Sequence, residues 1–294
     1  MNKFIRIVKF AIPLLLLVTM LVILICGYEK PDNNEFAGMA AIVCRESSTE
    51  TLFEYNADMR VAPASLTKLL TASVALKIMR PDEVITVGSE QELIPSESSV
   101  CLIAPGHQLT LRDLIRGMLM MSGNDAAYTV AVSVARAENP NEELSDSAAV
   151  EHFCELMNES AKQLGMNNSH FTTPDGSDSR GQYSTARDLS VLAKYALSFP
   201  EIREIAAEYQ KYVVFESGEN ITWTNTNRLL NPDDEFYRKD AIGLKTGTTS
   251  KAGCCLIAAF AKDSDTYISV VTGCDTDEER YSSTLLLVTK YAEL

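Results

Sequence analysis

The strongest constraint on the fold is the position of the strand-like segments, which occur near both ends of the chain. Apolar, β-rich runs cover residues 38–44 and 51–55 near one end, and residues 254–261 and 267–273 near the other. Because strands need partners for their backbone hydrogen bonds, we expect one antiparallel sheet built from both ends. The predicted class is α+β, with helices on the faces of the sheet and a helical lobe beside it.

Helices are predicted wherever apolar residues recur at intervals of three or four. The first follows Pro63, runs from Ser65 to about Met79 and stops before Pro81. Acidic residues and Pro140 predict a surface loop over residues 138–147. Further helices are predicted over residues 111–121, 126–135, 150–164, 185–198 and 278–294, and a further strand over residues 212–215.

An apolar run without charges covers residues 10–26, and Lys3, Arg6 and Lys9 precede it. At about 1.5 Å per residue, this run just crosses a hydrocarbon core of ~25–30 Å. Positive charge before the span predicts that residues 1–9 are cytoplasmic and that the remainder is exported. Residues 10–27 fit a signal anchor or a cleaved signal peptide, and the lack of a clear small-x-small cleavage site favours the anchor. A linker at 28–37 and a catalytic domain at 38–294 follow.

Composition excludes some partners. The chain has 26 Lys and Arg against 40 Asp and Glu, a net charge of −14, so nucleic acid is not an expected partner. Among the seven cysteines there is no C-x-x-C pair and no Cys/His cluster, and no metal or cofactor is predicted. Cys44, Cys255 and Cys274 lie in apolar runs, which favours buried thiols over the disulfides that an exported domain would permit.

Three short motifs could carry chemistry, and each occurs once. Ser65-Leu66-Thr67-Lys68 puts a hydroxyl beside an amine on one helix face, where a neutral lysine could activate the serine. Ser122-Gly123-Asn124 supplies a hydroxyl and an amide after a helix. Lys245-Thr246-Gly247 supplies a cation and a hydroxyl at a strand edge, which suits an anionic substrate that adds to the sheet. Singly, each also fits an ordinary reading: a solvated lysine, a helix-stop glycine and an edge-strand lysine.

In this order the three motifs match the set of class A β-lactamases and penicillin-binding proteins. From Gly38 onward the chain resembles the low-molecular-mass penicillin-binding proteins that are serine-type D-alanyl-D-alanine carboxypeptidases. The Ser-Gly-Asn form is typical of that family, whose fold is β-lactamase-like. The matching stretches are PASLTKLLT at 63–71, LMMSGNDAA at 119–127, MNESAKQLGMNNSHF at 157–171, YSTARDLSVL at 183–192 and GLKTGTTSKAGCC at 243–255.

The resemblance implies roles for the residues of the first two motifs. Ser65 is expected to attack the carbonyl of the penultimate D-alanine and to form an acyl-enzyme. Lys68 is expected to take the serine proton, and Ser122 to relay a proton to the departing D-alanine. Asn124 is expected to hold the substrate amide.

The third motif and the last helix are expected to bind the substrate. The resemblance implies that Lys245 and Thr246 favour the terminal carboxylate, and Gly247 is expected to let the substrate backbone approach closely. The backbone N–H groups of Ser65 and Thr248 are the expected oxyanion hole. Arg280 is either a second carboxylate-binding cation or a solvated arginine at a helix start.

The resemblance further implies peptidoglycan stem peptides ending in D-Ala-D-Ala as substrates and β-lactams as covalent inhibitors. The expected location is the extracytoplasmic face of the bacterial membrane, or the outside if the signal is cleaved. A serine β-lactamase is the nearest alternative, which the Ser-Gly-Asn form disfavours. A wall-binding scaffold would not need all three motifs, and a non-catalytic β-lactam sensor would need a signalling domain besides them. A Ser-His-Asp hydrolase is disfavoured because Gly-x-Ser-x-Gly is absent.

Overall fold

The computed structural model describes residues 36–294, and residues 37–294 form one compact unit within it. The segments predicted at 1–9 and 10–27, and most of the linker at 28–37, lie outside the described residues. In the described part of the chain, no helix is both long and apolar enough to span a bilayer. The anchor therefore stays a prediction from the sequence.

The strands are β1 Ala40–Arg45, β2 Thr51–Tyr55, β3 Val84–Thr86, β4 Gln108–Thr110, β5 Gln210–Val214, β6 Asn220–Thr224, β7 Ala241–Thr249, β8 Gly253–Lys262 and β9 Asp265–Cys274. The helices are α1 Lys68–Ile78, α2 Leu111–Met120, α3 Asn124–Glu138, α4 Asp146–Gln163, α5 Ala186–Leu197, α6 Pro200–Ala207 and α7 Asp277–Tyr291. Short 3₁₀ segments cover Ala64–Thr67, Ser89–Leu93 and Arg228–Leu230.

Both ends of the chain contribute to one five-stranded antiparallel sheet, in the order β2-β1-β9-β8-β7. Strand β1 pairs along its length with β9, from Ala40 opposite Thr272 to Arg45 opposite Tyr267. Successive side chains of a strand point to opposite faces of the sheet, and consecutive residues of β1 are buried. The sheet is therefore covered on both faces, and α5 and α7 pack against it. The predicted sheet from both chain ends is confirmed, and β7 lies at its edge.

Helix α1 runs through the centre of the helical lobe, where every residue from Lys68 to Ala75 is buried. A helix that is apolar all round is expected to be buried in this way. The chain enters α1 through the 3₁₀ turn Ala64–Thr67, so the predicted helix start at Ser65 corresponds to this turn. Ser65 is therefore half-buried in the turn before α1, and Lys68 is the buried first residue of α1.

Most predicted helices occur within a few residues of their expected bounds, and side chains cap the starts of α2, α4, α5 and α7. The hydroxyl of Thr110 accepts from Asp113 N at the start of α2, and Thr185 caps α5 in the same way. The loop predicted at 138–147 is shorter in the structure, because Glu138 is the last residue of α3 and Asp146 is the first residue of α4.

The six described cysteines are free thiols, and all are buried except the half-buried Cys254. This confirms the prediction of buried thiols within residues 36–294. Burial raises the pKa of Cys255 to about 11, so this thiol stays neutral near pH 7.

Candidate active site

The first motif brings a hydroxyl and an amine into direct contact. Lys68 Nζ donates to Ser65 Oγ at 2.8 Å, as the spacing of three residues predicted. The same ammonium donates to Asn124 Oδ1 at 2.8 Å and to the backbone oxygen of Asp175 at 2.8 Å. Its three N–H bonds therefore each have an acceptor, which fixes the amine beside the serine.

Burial changes the acidity of this amine. Lys68 is fully buried, and loss of hydration lowers its pKa to about 8, against the partly opposing charges of Asp175 and Asp125. At that pKa, about a tenth of the molecules hold a neutral amine at pH 7, which is the form that accepts a proton. The solvated-lysine reading of this motif is wrong.

The turn at 174–177 packs directly on the 3₁₀ turn at 64–67 that carries Ser65 (the serine turn). Gly176 has a φ of +88°, and a Cβ there would lie 1.8 Å from the carbonyl oxygen of Ala64. Thr71 Oγ1 donates to Pro174 O at 2.5 Å, which ties the same turn to α1. This contact brings the Asp175 carbonyl to Lys68, so the turn supplies a site atom that the motifs did not predict.

The second motif lies between α2 and α3 and reaches the site through its asparagine. Asn124 is the first residue of α3, and its side chain contacts Lys68 Nζ rather than open space. Ser122 is 8% exposed and takes a positive φ of +58°, so it, not Gly123, occupies the left-handed position after α2. The helix-stop reading for the glycine is wrong, since Gly123 caps the start of α3. The proton relay by Ser122 stays a prediction.

A buried carboxylate holds the segment next to this motif. Asp125 is 1% exposed and accepts from the backbone N–H of Cys101 at 2.9 Å and of Ile103 at 3.2 Å. Asn124 N donates to Ser99 O at 2.8 Å. Asp125 and the Asn124 backbone therefore hold the segment from 99 to 103 beside the second motif. The sequence of this segment did not indicate that it lies there.

The third motif lies inside β7, at the edge of the sheet. Lys245 is 1% exposed, and its Nζ donates to the backbone oxygen of Thr246 at 3.1 Å. Burial, and the positive charges of Lys68 and Arg280, hold the pKa of Lys245 well below its usual range. The basic groups of Lys68 and Arg280 thus act electrostatically on Lys245, and an anionic ligand at this place would offset their repulsion.

Glycine at position 247 makes room for the turn that carries Ser65. Its predicted role, close approach of the substrate backbone, stays a prediction. A Cβ at this position would lie 3.0 Å from Ala64 Cβ and 3.1 Å from the backbone nitrogen of Ser65. The missing side chain therefore lets β7 approach the serine turn and keeps the Ser65 amide uncovered. Thr248, the next residue, is exposed at the edge of β7, so the two predicted oxyanion-hole residues lie on adjacent segments.

Arg280 is buried at the third motif and is not a solvated arginine. It is 7% exposed, and its Nη1 donates to Gly247 O at 3.3 Å and to Thr248 Oγ1 at 3.1 Å. Its Nη2 bonds to Asp277 one helical turn away. The guanidinium therefore supports β7 directly and adds positive charge to the site.

One residue beside Thr246 was absent from the predicted set. Thr226, between β6 and the 3₁₀ turn at 228–230, lies with its Oγ1 2.7 Å from Thr246 Oγ1. No motif marks this position, and only the fold brings it to β7.

Two other kinds of site bear on the function, a deacylating Glu/Asn pair and a metal site. Glu216, with Asn220 four residues later, has the spacing of the deacylating pair of many serine β-lactamases. Both residues lie in the β5–β6 hairpin, where Asn220 pairs with Val214 and Glu216 N bonds to Gln108 O. Across residues 36–294, no group of three or more His, Cys, Asp or Glu side chains could hold a metal ion.

Known proteins resemble this chain in sequence. A family model described as D-alanyl-D-alanine carboxypeptidase matches residues 28–276. The D-alanyl-D-alanine carboxypeptidase DacF of Bacillus subtilis is 31% identical over 265 residues, which cover 86% of this chain and 63% of the relative. DacC of Escherichia coli is 36% identical over 259 residues, which cover 85% and 60%. The chain thus spans about six-tenths of the length of these curated relatives.

Solved structures resemble it in fold. The Streptomyces K15 DD-transpeptidase matches with a TM-score of 0.80 and 28% identity, covering 90% of this chain and 100% of that chain. The D-alanyl-D-alanine carboxypeptidase DacD of Francisella tularensis matches with a TM-score of 0.75 and 27% identity, covering 90% and 72%. The predicted DD-peptidase-like α+β fold is confirmed.

Proposed function

Because the chain belongs to the D-alanyl-D-alanine carboxypeptidase family, we propose that it removes the terminal D-alanine from peptidoglycan stem peptides ending in D-Ala-D-Ala. One observation carries the proposal: Lys68 Nζ lies 2.8 Å from Ser65 Oγ and has a pKa of about 8. A serine becomes a nucleophile when an adjacent base can take its proton, and a buried lysine with this pKa is such a base.

In the proposed acylation, Ser65 Oγ attacks the carbonyl carbon of the penultimate D-alanine while its proton passes to Lys68. The negative oxygen of the tetrahedral intermediate accepts hydrogen bonds from the backbone N–H groups of Ser65 and Thr248. Such donors stabilise a transition state by several kcal/mol. Ser122 then donates its hydroxyl proton to the nitrogen of the leaving D-alanine and takes the proton held by Lys68 in its place. The C–N bond breaks, and the acyl group stays on Ser65.

The basic side chains of Lys245 and Arg280, with the hydroxyl of Thr246, form the proposed site for the terminal carboxylate. Lys245 and Arg280 are both buried beside β7, where Arg280 donates to Gly247 O, and Thr246 adds a hydroxyl next to Lys245 in sequence. A carboxylate bound there lowers the cost of keeping these cations buried, because opposite charges favour the charged forms. Asn124 is the proposed partner of the substrate amide. Water then attacks the acyl-enzyme and releases the shortened peptide and the free Ser65 hydroxyl.

We also propose that β-lactams acylate Ser65 and inhibit the enzyme. The acylation step is the same, since the β-lactam carbonyl takes the place of the peptide carbonyl. The acyl-enzyme retains the rest of the ring-opened molecule, so no small leaving group departs to make room for water.

The location at the outer face of the membrane is part of the same proposal. Its support is the apolar run at 10–26 with Lys3, Arg6 and Lys9 before it. The test is fractionation of cells with protease treatment of the intact membrane. Salt-resistant membrane association with protease access from outside is expected. Recovery in the culture medium would contradict the anchor, and recovery in the cytoplasm would contradict export.

The activity is tested by D-alanine release from diacetyl-Lys-D-Ala-D-Ala, with Ser65→Ala as control and penicillin as inhibitor. We expect release by the wild-type protein, and none by Ser65→Ala or after penicillin treatment. Stable penicillin labelling without release would indicate a different peptide substrate. Rapid penicillin hydrolysis without release would replace the proposal with β-lactamase activity, and circular dichroism checks that Ser65→Ala keeps the fold.

A further inference from the structure

Thr226 is an exposed residue that contacts the third motif through its side chain. Its Oγ1 lies 2.7 Å from Oγ1 of Thr246, which is itself only 5% exposed. An exposed threonine on an ordinary loop would bond to water, so a contact with a buried hydroxyl requires a fixed backbone.

The backbone of Thr226 is fixed from three directions. Its N–H donates to Met120 O at 2.9 Å, next to the second motif. Its carbonyl oxygen accepts from the hydroxyl of Tyr281 on α7 at 3.3 Å. The preceding Asn225 is 7% exposed and donates through Nδ2 to Glu208 O at 3.0 Å. The Thr226 side chain is therefore presented to β7 by a rigid support, as precise positioning of a functional group requires.

The number of hydroxyl protons determines the direction of this bond. Each threonine hydroxyl has one proton to donate and two lone pairs that accept. In the proposed function the Thr246 hydroxyl donates its proton to the substrate carboxylate. The proton between the two hydroxyls must then come from Thr226. A hydroxyl that accepts a hydrogen bond also becomes a stronger donor, since successive bonds polarise one another.

We propose that Thr226 is a positioning residue for carboxylate recognition, which rests on the proposed function: its hydroxyl donates to Thr246 and so directs the Thr246 proton to the terminal carboxylate of the substrate. Thr226 acts through Thr246 and contributes nothing to the attack by Ser65. Its effect therefore depends on whether the ligand has a carboxylate.

The test compares two substrates that differ in this one group. The substrates are the thioglycolate thioester and the ethyl thioester of the same N-acyl-D-alanine, of which the first alone has a carboxylate on its leaving group. Thr226→Val removes the hydroxyl and keeps the shape, Thr226→Ser keeps the hydroxyl, and Thr222→Val is a matched control. Thr222 is exposed on β6, where it pairs with Tyr212. The full chain is used, and thiol release gives kcat and KM separately.

We expect Thr226→Val to lower kcat/KM for the thioglycolate ester about tenfold, mainly by raising KM, because the Thr246 hydroxyl loses the donor that directs its proton to the carboxylate. The ethyl ester should change less than about twofold, and Thr226→Ser should restore the thioglycolate value. Thr222→Val should change neither. Equal losses on both esters, no loss on either, or no rescue by Thr226→Ser would overturn the inference while the proposed function stands. A wild-type protein that turns over neither ester and is not labelled by penicillin would overturn both.

Discussion

The rate of acylation should follow the neutral fraction of Lys68. This amine donates to Ser65 Oγ, and burial holds its pKa at about 8. Only the neutral amine accepts a proton, so acylation should rise with pH and level off above the pKa. With a pKa of about 8, the neutral fraction is about 1% at pH 6, about 9% at pH 7 and about 50% at pH 8.

The expected profile therefore rises about tenfold from pH 6 to 7, about fivefold from pH 7 to 8, and at most twofold beyond. With a lysine at the ordinary pKa of 10.5, the rate would instead keep rising tenfold per pH unit to about pH 10. The assay is the rate of penicillin acylation in single-turnover experiments, with circular dichroism at each pH. A profile that is flat from pH 6 to 9, or still rising steeply at pH 9.5, would refute the assignment of Lys68 as the base.

Removing one carboxylate should move this profile in a known direction. The charge of Asp175 raises the pKa of Lys68, so Asp175→Asn should shift the rising limb to lower pH. An asparagine oxygen can still accept from the N–H of Ser177, as Asp175 does at 3.1 Å. Glu159→Gln, at an exposed position on α4, is the matched control and should leave the limb unchanged. A shift to higher pH in Asp175→Asn would contradict the electrostatic account.

Three further substitutions test the contacts of the serine turn and of β7. Gly247→Ala places a Cβ 3.1 Å from the Ser65 nitrogen, and should slow penicillin acylation at least tenfold while circular dichroism shows that the fold is retained. Gly176→Ala, at a φ of +88° and in conflict with Ala64, should lower the free energy of unfolding by at least about 2 kcal/mol in urea titrations. Arg280→Lys keeps the charge but not the fork that reaches β7, and should raise KM for carboxylate substrates by about tenfold in steady-state assays.

The sequence predicted most elements because their patterns are local. Strand β2 has the predicted bounds at 51–55, and α2 differs from the prediction by one residue. Helix α6 was not predicted, because Pro200 follows the predicted helix at 185–198 and proline is common just beyond a helix end. Pro200 is instead the first residue of α6, where proline is favoured because its missing N–H needs no partner. Strand β6 was missed because Asn220–Thr224 is short and polar, and its partner β5 supplies the hairpin that stabilises it.

The parts of the site that are formed by motif side chains could be predicted from the sequence. The spacing of Ser65 and Lys68 fixed their contact, and the family resemblance supplied the association of the three motifs. The spacing could not predict that Lys68 would bond to a backbone carbonyl, because any residue at 175 provides one. The Thr226 contact was equally hidden, since it depends on the path of the chain between β6 and β7.

The central position of β9 has a consequence for the order in which the molecule can form. Strand β1 pairs with β9, and about 210 residues separate the end of β2 from the start of β9. At ~5–20 residues per second, the ribosome needs about 10–40 s to make that stretch. During this interval the first hairpin has an open apolar edge and no sheet to join, and closing so long a loop slows folding. Strand β9 therefore decides when β1 reaches its native pairing, and a chaperone that covers residues 40–55 until then would be expected to increase the yield of folded protein.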